Sequence, residues 1–117
     1  MSPRMIVQSA VARQLDMIAL CDHNSAENVL ATMRAARSTG LTVLAGMEVT
    51  SAEEVHVCGI FDDHNSAHEL QGLVYDTLAP GENDPEFFGD QLIVNEFDEI
   101  DGYNKKLLIG ATTLSIN

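Results

Sequence analysis

The chain has 117 residues, is 45% hydrophobic, and carries 18 acidic against six basic residues for a formal charge of −12. This describes one small domain with enough apolar material for a core, and no apolar run approaches the ~18 residues needed to cross a bilayer. The charge excludes a stand-alone nucleic-acid binder, whose phosphate contacts need clustered Lys and Arg, and Met1-Ser2-Pro3-Arg4 lacks the layout of a secretory leader, so a cytoplasmic protein is expected.

Ser2 followed by Pro3 marks a helix start, because a proline at the first helical position gives up no needed N–H. Ile6, Val7, Ala10 and Val11 then recur at helical spacing and predict an amphipathic helix over 3–14. Met17-Ile18-Ala19-Leu20-Cys21 is short and apolar on both faces, the pattern of a buried strand in a parallel sheet. Ser25 is predicted to cap a second helix whose face carries Ala26, Val29, Leu30, Met33 and Ala36, with Gly40 placed to stop it. Leu41 to Ala45 reads as the next strand, broken by Gly46. Val55 to Phe61 is another, with His56, Cys58 and Ile60 on one face.

Asn65 or Ser66 is the expected cap of a third helix with Leu70, Leu73, Val74 and Leu78 as its stripe. Pro80 to Glu86 reads as a loop. Leu92–Val94 and Leu107–Ile109 read as short strands separated by the acidic stretch Asn95 to Asp101, and Thr112 to Ser115 looks like the cap of a further helix. Strands alternating with helices imply an α/β fold with right-handed crossovers. Cys21 and Cys58 both lie in apolar runs and are expected to be reduced core thiols.

In parallel α/β folds, functional residues gather at the carboxyl edge of the sheet. The first strand leads into Asp22-His23-Asn24-Ser25, the second runs through Gly46-Met47 into Glu48, and the third carries His56. Three consecutive strands thus bring a metal-competent side chain to one edge. Imidazole plus carboxylate suits Zn²⁺, Mn²⁺ or Fe²⁺, and a cation offsets the repulsion of gathered carboxylates. Plainer readings stand beside this one. Asp22, Asn24 and Ser25 could serve turn and cap chemistry, Glu48 could be an exposed strand end, and His56 could be a satisfied core histidine. His64 and His68 read as surface residues. Glu96, Asp98, Glu99 and Asp101 read as a solvated loop without the glycine and terminal Glu positions of an EF-hand. No nucleophile elbow, phosphate-binding glycine loop or Cys-x-x-Cys is present.

The runs LCDHNSAEN (Leu20 to Asn28), AGMEV (Ala45 to Val49) and EEVHVCGIFD (Glu53 to Asp62) occur in order. Together with the stretch from Gly81 to Ile116, they resemble the PHP family, named for polymerase and histidinol phosphatase, and most of all its small metal-dependent phosphoesterases. The resemblance implies a distorted (β/α)7 barrel with mostly parallel strands and a cluster of metal ions at the carboxyl ends of the strands. It implies His23 as a metal ligand, Glu48 as a bridging carboxylate and His56 as a further ligand. Asp22 becomes the catalytic-site acid that orients His23 or adds a ligand of its own. The implied chemistry is attack of metal-activated water on a phosphate ester, with Mn, Zn or Fe as cofactor. The substrate would be a small phosphorylated molecule such as a sugar phosphate, a nucleotide or a nucleic-acid end, with no membrane involved.

Family members open with a strand ending in His-x-His, which is not found ahead of Ser2-Pro3. They close with a later His and an Asp-x-His pair, which nothing after Ile109 supplies. Residues 1–117 are therefore expected to form a partial PHP domain. Cys21 stands where the family often has a small hydroxyl residue. A second reading is a catalytically silent fragment that binds a partner or self-associates through exposed sheet edges. A third is an acidic α/β interaction domain with no metal role.

Overall fold

A computed structural model describes all of residues 1–117. Helix α1 (Pro3–Ala12) begins where its proline allows, with the Met5 N–H donating to Ser2 Oγ at 3.4 Å. Strand β1 (Met17–Leu20) follows and pairs in parallel with β2 (Thr42–Thr50), Met17 opposite Thr42 and Leu20 opposite Ala45. Between them lies α2, which spans only Val29–Ala35 and has Asn28, not Ser25, at its cap position. Tertiary bonds explain the late start. The Ala26 N–H donates to Gln71 Oε1 at 2.7 Å, and Ser25 Oγ lies 3.2 Å from the Tyr75 hydroxyl, so residues 25–28 are held in a turn.

Gly46 does not break β2, which runs through it for nine residues. A Cβ at Gly46 would come within 2.5 Å of Cys21 Sγ and 2.9 Å of the Leu20 carbonyl oxygen. The glycine is there because β1 approaches closely, one of the two usual reasons for glycine inside a strand. Strand β3 (His56–Phe61) then pairs antiparallel to β2, with Thr50 opposite His56 and Glu48 opposite Cys58. A connection as short as 51–55 permits only that pairing, since a parallel return needs a crossover of a dozen residues or more. The sheet order is β1-β2-β3, so the α/β expectation holds for a mixed, open sheet that closes into no barrel. The expectation of mostly parallel strands holds for its first pair alone.

Helix α3 (His64–Thr77) is capped by Asp63, whose Oδ1 accepts from the Ser66 N–H at 3.0 Å, so the cap falls ahead of Asn65 and Ser66. Its buried stripe is Ala67, Gln71 and Val74, while Leu73 is 50% exposed. A short helix, α4 (Pro85–Phe88), interrupts the expected loop. Strand β4 (Leu92–Val94) pairs antiparallel with β5 (Ile100–Tyr103), which lies in the acidic stretch and not at Leu107–Ile109. The Asn95 carboxamide makes this hairpin possible by accepting from the N–H groups of Phe97 and Glu99, with Asp98 left-handed at φ 66°. Thr112 to Ser115 forms no helix. Thr112 N–H donates to the Thr50 carbonyl at 2.9 Å, and Leu114 O accepts from the Ala52 N–H at 2.7 Å, so the segment is tied to the end of β2 and the turn after it.

Two apolar clusters hold these layers. One unites Val7, Ala10, Ala36, Leu41 and Val43 under α1, and the other gathers Leu20, Val29, Ala45, Met47, Ala67 and Val74 between the sheet, α2 and α3. Both cysteines are free, but neither is a core residue: Cys21 is half-buried beside Gly46 and Cys58 is exposed on the edge strand. No helix is long and apolar enough to cross a membrane. Gly46→Ala is expected to destabilise the fold by about 1–3 kcal/mol in denaturant melts, as overpacking does. Cys21→Ala in that background should restore only part of the loss, because the Leu20 carbonyl remains in the way.

Candidate metal centre

The ladder between β1 and β2 does not stop at Leu20. The Glu48 N–H donates to Asp22 O at 3.0 Å and the Asn24 N–H donates to Glu48 O at 2.7 Å, which sets His23 directly beside Glu48. Parallel neighbours in register place their side chains on the same face, so imidazole and carboxylate meet. His56 reaches them differently from the expectation of three strand carboxyl ends. It is the first residue of β3, and only the antiparallel pairing brings that amino end to the edge where β2 finishes.

His23 Nδ1 lies 2.9 Å from Glu48 Oε2, and His56 Nδ1 lies 3.6 Å from Glu48 Oε1. The two rings are tilted at 42° with centroids 5.1 Å apart, and the three donor groups all fall within 4.8 Å of one another. The hydrogen bond from His23 holds the Glu48 carboxyl below the usual carboxylate range, and His56 adds to the effect. His56 is exposed, which rules out the core-histidine reading. Asp22 lines the same cavity, but its carboxylate is not part of the three-residue group, and burial raises its pKa. His68 is exposed and stacks on His64 at 5.8 Å, in keeping with a surface pair.

A Zn²⁺-like ion binds such donors at about 2.0–2.2 Å, which puts tetrahedral neighbours about 3.4 Å apart. The separations of 2.9 and 3.6 Å, one to each oxygen of Glu48, lie near that value, and the three donor groups together stay within 4.8 Å, so small side-chain adjustments would bring them onto one divalent cation. The two histidines of the group, with Asp22 and Thr50, line a cavity of about 790 Å³ to which Phe88, Leu92 and Ile109 add apolar surface. No lysine or arginine lines it.

Three further residues complete the site: Thr50 and Tyr75, which sequence reasoning passed over, and Asn24, which it read only as turn or cap chemistry. Thr50 Oγ1 lies 3.0 Å from His23 Nε2; the period of two along a strand already places Thr50 on the face of Glu48. Asn24 is fully buried, and its side chain bonds the Thr50 N–H and the carbonyls of Leu108 and Gly110. Tyr75 joins the far wall together: its hydroxyl donates to Glu27 Oε1 at 3.1 Å and accepts from Asn104 Nδ2 at 2.7 Å. Nothing local in the sequence announces that last contact.

The family model for the PHP domain matches residues 1–113. No curated protein and no solved structure gave a match.

Burial, the largest influence, pushes the Tyr75 phenol up to about 12. A raised pKa means that the folded state favours the protonated phenol. The stabilisation is therefore complete below the ordinary value near ~10 and is lost as pH climbs through the folded value. Ultraviolet titration should accordingly show one tyrosine ionising only near pH 12, and Tyr75→Phe should remove that step. The same substitution should cost about 1–3 kcal/mol, because Glu27 and Asn104 lose a partner.

Proposed function

Because the chain belongs to the PHP domain family, we propose that it is a metal-dependent phosphoesterase whose cation is held by His23, Glu48 and His56. The observation that carries this reading is the convergence of those three donor groups within 4.8 Å, the two histidines lining a cavity large enough for a small ester. A bound Mn, Zn or Fe ion would supply Lewis acidity, polarising a phosphoryl oxygen and acidifying a water near neutral pH.

The protein's own part is to place and to exclude. His23 and His56 flank the two oxygens of Glu48, which fixes the carboxylate from both sides. Asp22, beside His23 on the cavity wall, would add a second carboxylate to the centre. With no lysine or arginine lining the cavity, neutralising a phosphate falls to the cation, the histidines and the amino terminus at Met1. The apolar wall of Phe88, Leu92 and Ile109 would receive the rest of a small phosphorylated substrate, a nucleotide or nucleic-acid end among the choices. A cytoplasmic setting agrees with the two free thiols.

Titration of the chain with Mn²⁺ and Zn²⁺ should show saturable binding. Glu48→Ala should weaken it by at least about 100-fold, the upper end of what loss of a mere supporting partner costs. Hydrolysis of an aryl phosphate ester should disappear with the same substitution; full activity in Glu48→Ala would overturn the assignment.

A second reading, association with a second copy of the chain, is favoured by β3, an edge strand on which Val57 and Ile60 stay 45% and 57% exposed. Sedimentation should then show a mass that rises with concentration and falls back on Ile60→Lys. A monomer at every concentration would dismiss this second reading.

A further inference from the structure

His23 has a neighbour at each ring nitrogen. Nδ1 is 2.9 Å from Glu48 Oε2, and Nε2 is 3.0 Å from Thr50 Oγ1. A neutral imidazole carries a single proton, so one nitrogen donates and the other accepts. Glu48, as a carboxylate, can only accept. With Nδ1 donating to Glu48, Nε2 needs a donor, and a hydroxyl, which donates or accepts by rotating, supplies one here and an acceptor in the other tautomer.

Thr50 is also unusually well fixed. It is 5% exposed, its N–H donates to Asn24 Oδ1 at 3.0 Å, and its carbonyl accepts from Thr112 N–H at 2.9 Å and Thr112 Oγ1 at 2.7 Å. A β-branched side chain on so constrained a backbone has little rotamer freedom, so the hydroxyl is a stationary contact for the ring. His56 sits directly opposite in the β2–β3 register, so both histidines are placed by one backbone position.

We propose that Thr50 is a positioning residue of the metal centre, its hydroxyl holding His23 by Nε2 so that Nδ1 stays directed at Glu48 and toward His56. When Nδ1 carries the proton, it donates to Glu48 while the Thr50 hydroxyl donates to Nε2. Were Nδ1 to offer its lone pair to a cation, the proton would reside on Nε2 and the same hydroxyl would accept the hydrogen bond from that N–H. The ring keeps one proton throughout, and only the direction of the Thr50 hydrogen bond reverses. The role in metal binding rests on the proposed function; the grip on the ring does not.

The experiment uses the whole chain labelled with ¹⁵N-histidine, first metal-free and then titrated with Zn²⁺, for the parent, Thr50→Val and Thr50→Ser. Thr50→Val keeps the shape and removes the hydroxyl. It should shift the His23 ring nitrogen resonances of the metal-free protein and weaken Zn²⁺ binding by about 10–100-fold, the usual effect of losing a ligand's outer partner. Thr50→Ser should bring both readouts back to within a few-fold of the parent, and Thr50→Ala supplies the same deletion should Thr50→Val fail to fold. An unchanged His23 spectrum with parental affinity in the hydroxyl-free variants would overturn the proposal, as would a Thr50→Ser variant no better than Thr50→Val. If the parent binds no Zn²⁺, the metal-centre reading fails and the metal-binding role with it, while the metal-free spectra still decide whether Thr50 orients the ring.

Discussion

One buried carboxamide holds the working end of this protein together. Asn24 is fully buried, and its side chain accepts from the Thr50 N–H and donates to the carbonyls of Leu108 and Gly110 at 2.8 and 2.9 Å. Its own N–H donates to Glu48 O, and its backbone is left-handed at φ 51°, a conformation that asparagine tolerates better than most residues. Each such bond contributes about 0.5–1.5 kcal/mol net, but a buried group deprived of its partner costs about 1–3 kcal/mol. Asn24 therefore matters most for what its loss would strand. Three backbone groups from two distant segments, and the placement of His23 one residue away, depend on it.

Around that point the sheet mixes its pairings to useful effect. The parallel β1–β2 pair continues past Leu20 far enough to set His23 beside Glu48. The antiparallel β3 turns its first residue, His56, to the same edge. A wholly parallel sheet would have carried the amino end of β3 to the opposite side. Gly46 contributes from below, since only a residue without a side chain lets Cys21, and hence the chain leading to His23, come so close to β2.

Much of this was legible in the sequence where local chemistry governs. Ser2-Pro3 starts α1, Met17 to Leu20 forms a strand that leads into Asp22 and His23, and Glu48 and His56 lie on the next two strands. The illegible parts are those where a distant group overrides a local preference. Ser25 would cap a helix but for Tyr75 and Gln71, and Gly46 would end a strand but for Cys21 and Leu20. The acidic stretch near Ile100 would be a loop but for the Asn95 carboxamide that folds it into a hairpin. Asp22 and His23 both line the cavity, yet only His23 joins Glu48 and His56 in the three-residue group, because the register sets His23 and not its neighbour opposite Glu48.

The cavity wall is held by bonds that span most of the chain. Asn28 grips β4 through Leu92 O and the Val94 N–H, 64 and 66 residues away, and Asn24 reaches Leu108 and Gly110 across 84 and 86 residues. The His23–Glu48 contact spans only 25. Closing a loop costs entropy that grows with the logarithm of its length, which disfavours the longer closure by about 1 kcal/mol. Contacts of low sequence separation also form faster. Closure entropy therefore favours the His23–Glu48 contact over the wall that covers it, so His23 and Glu48 are expected to meet first as the chain folds.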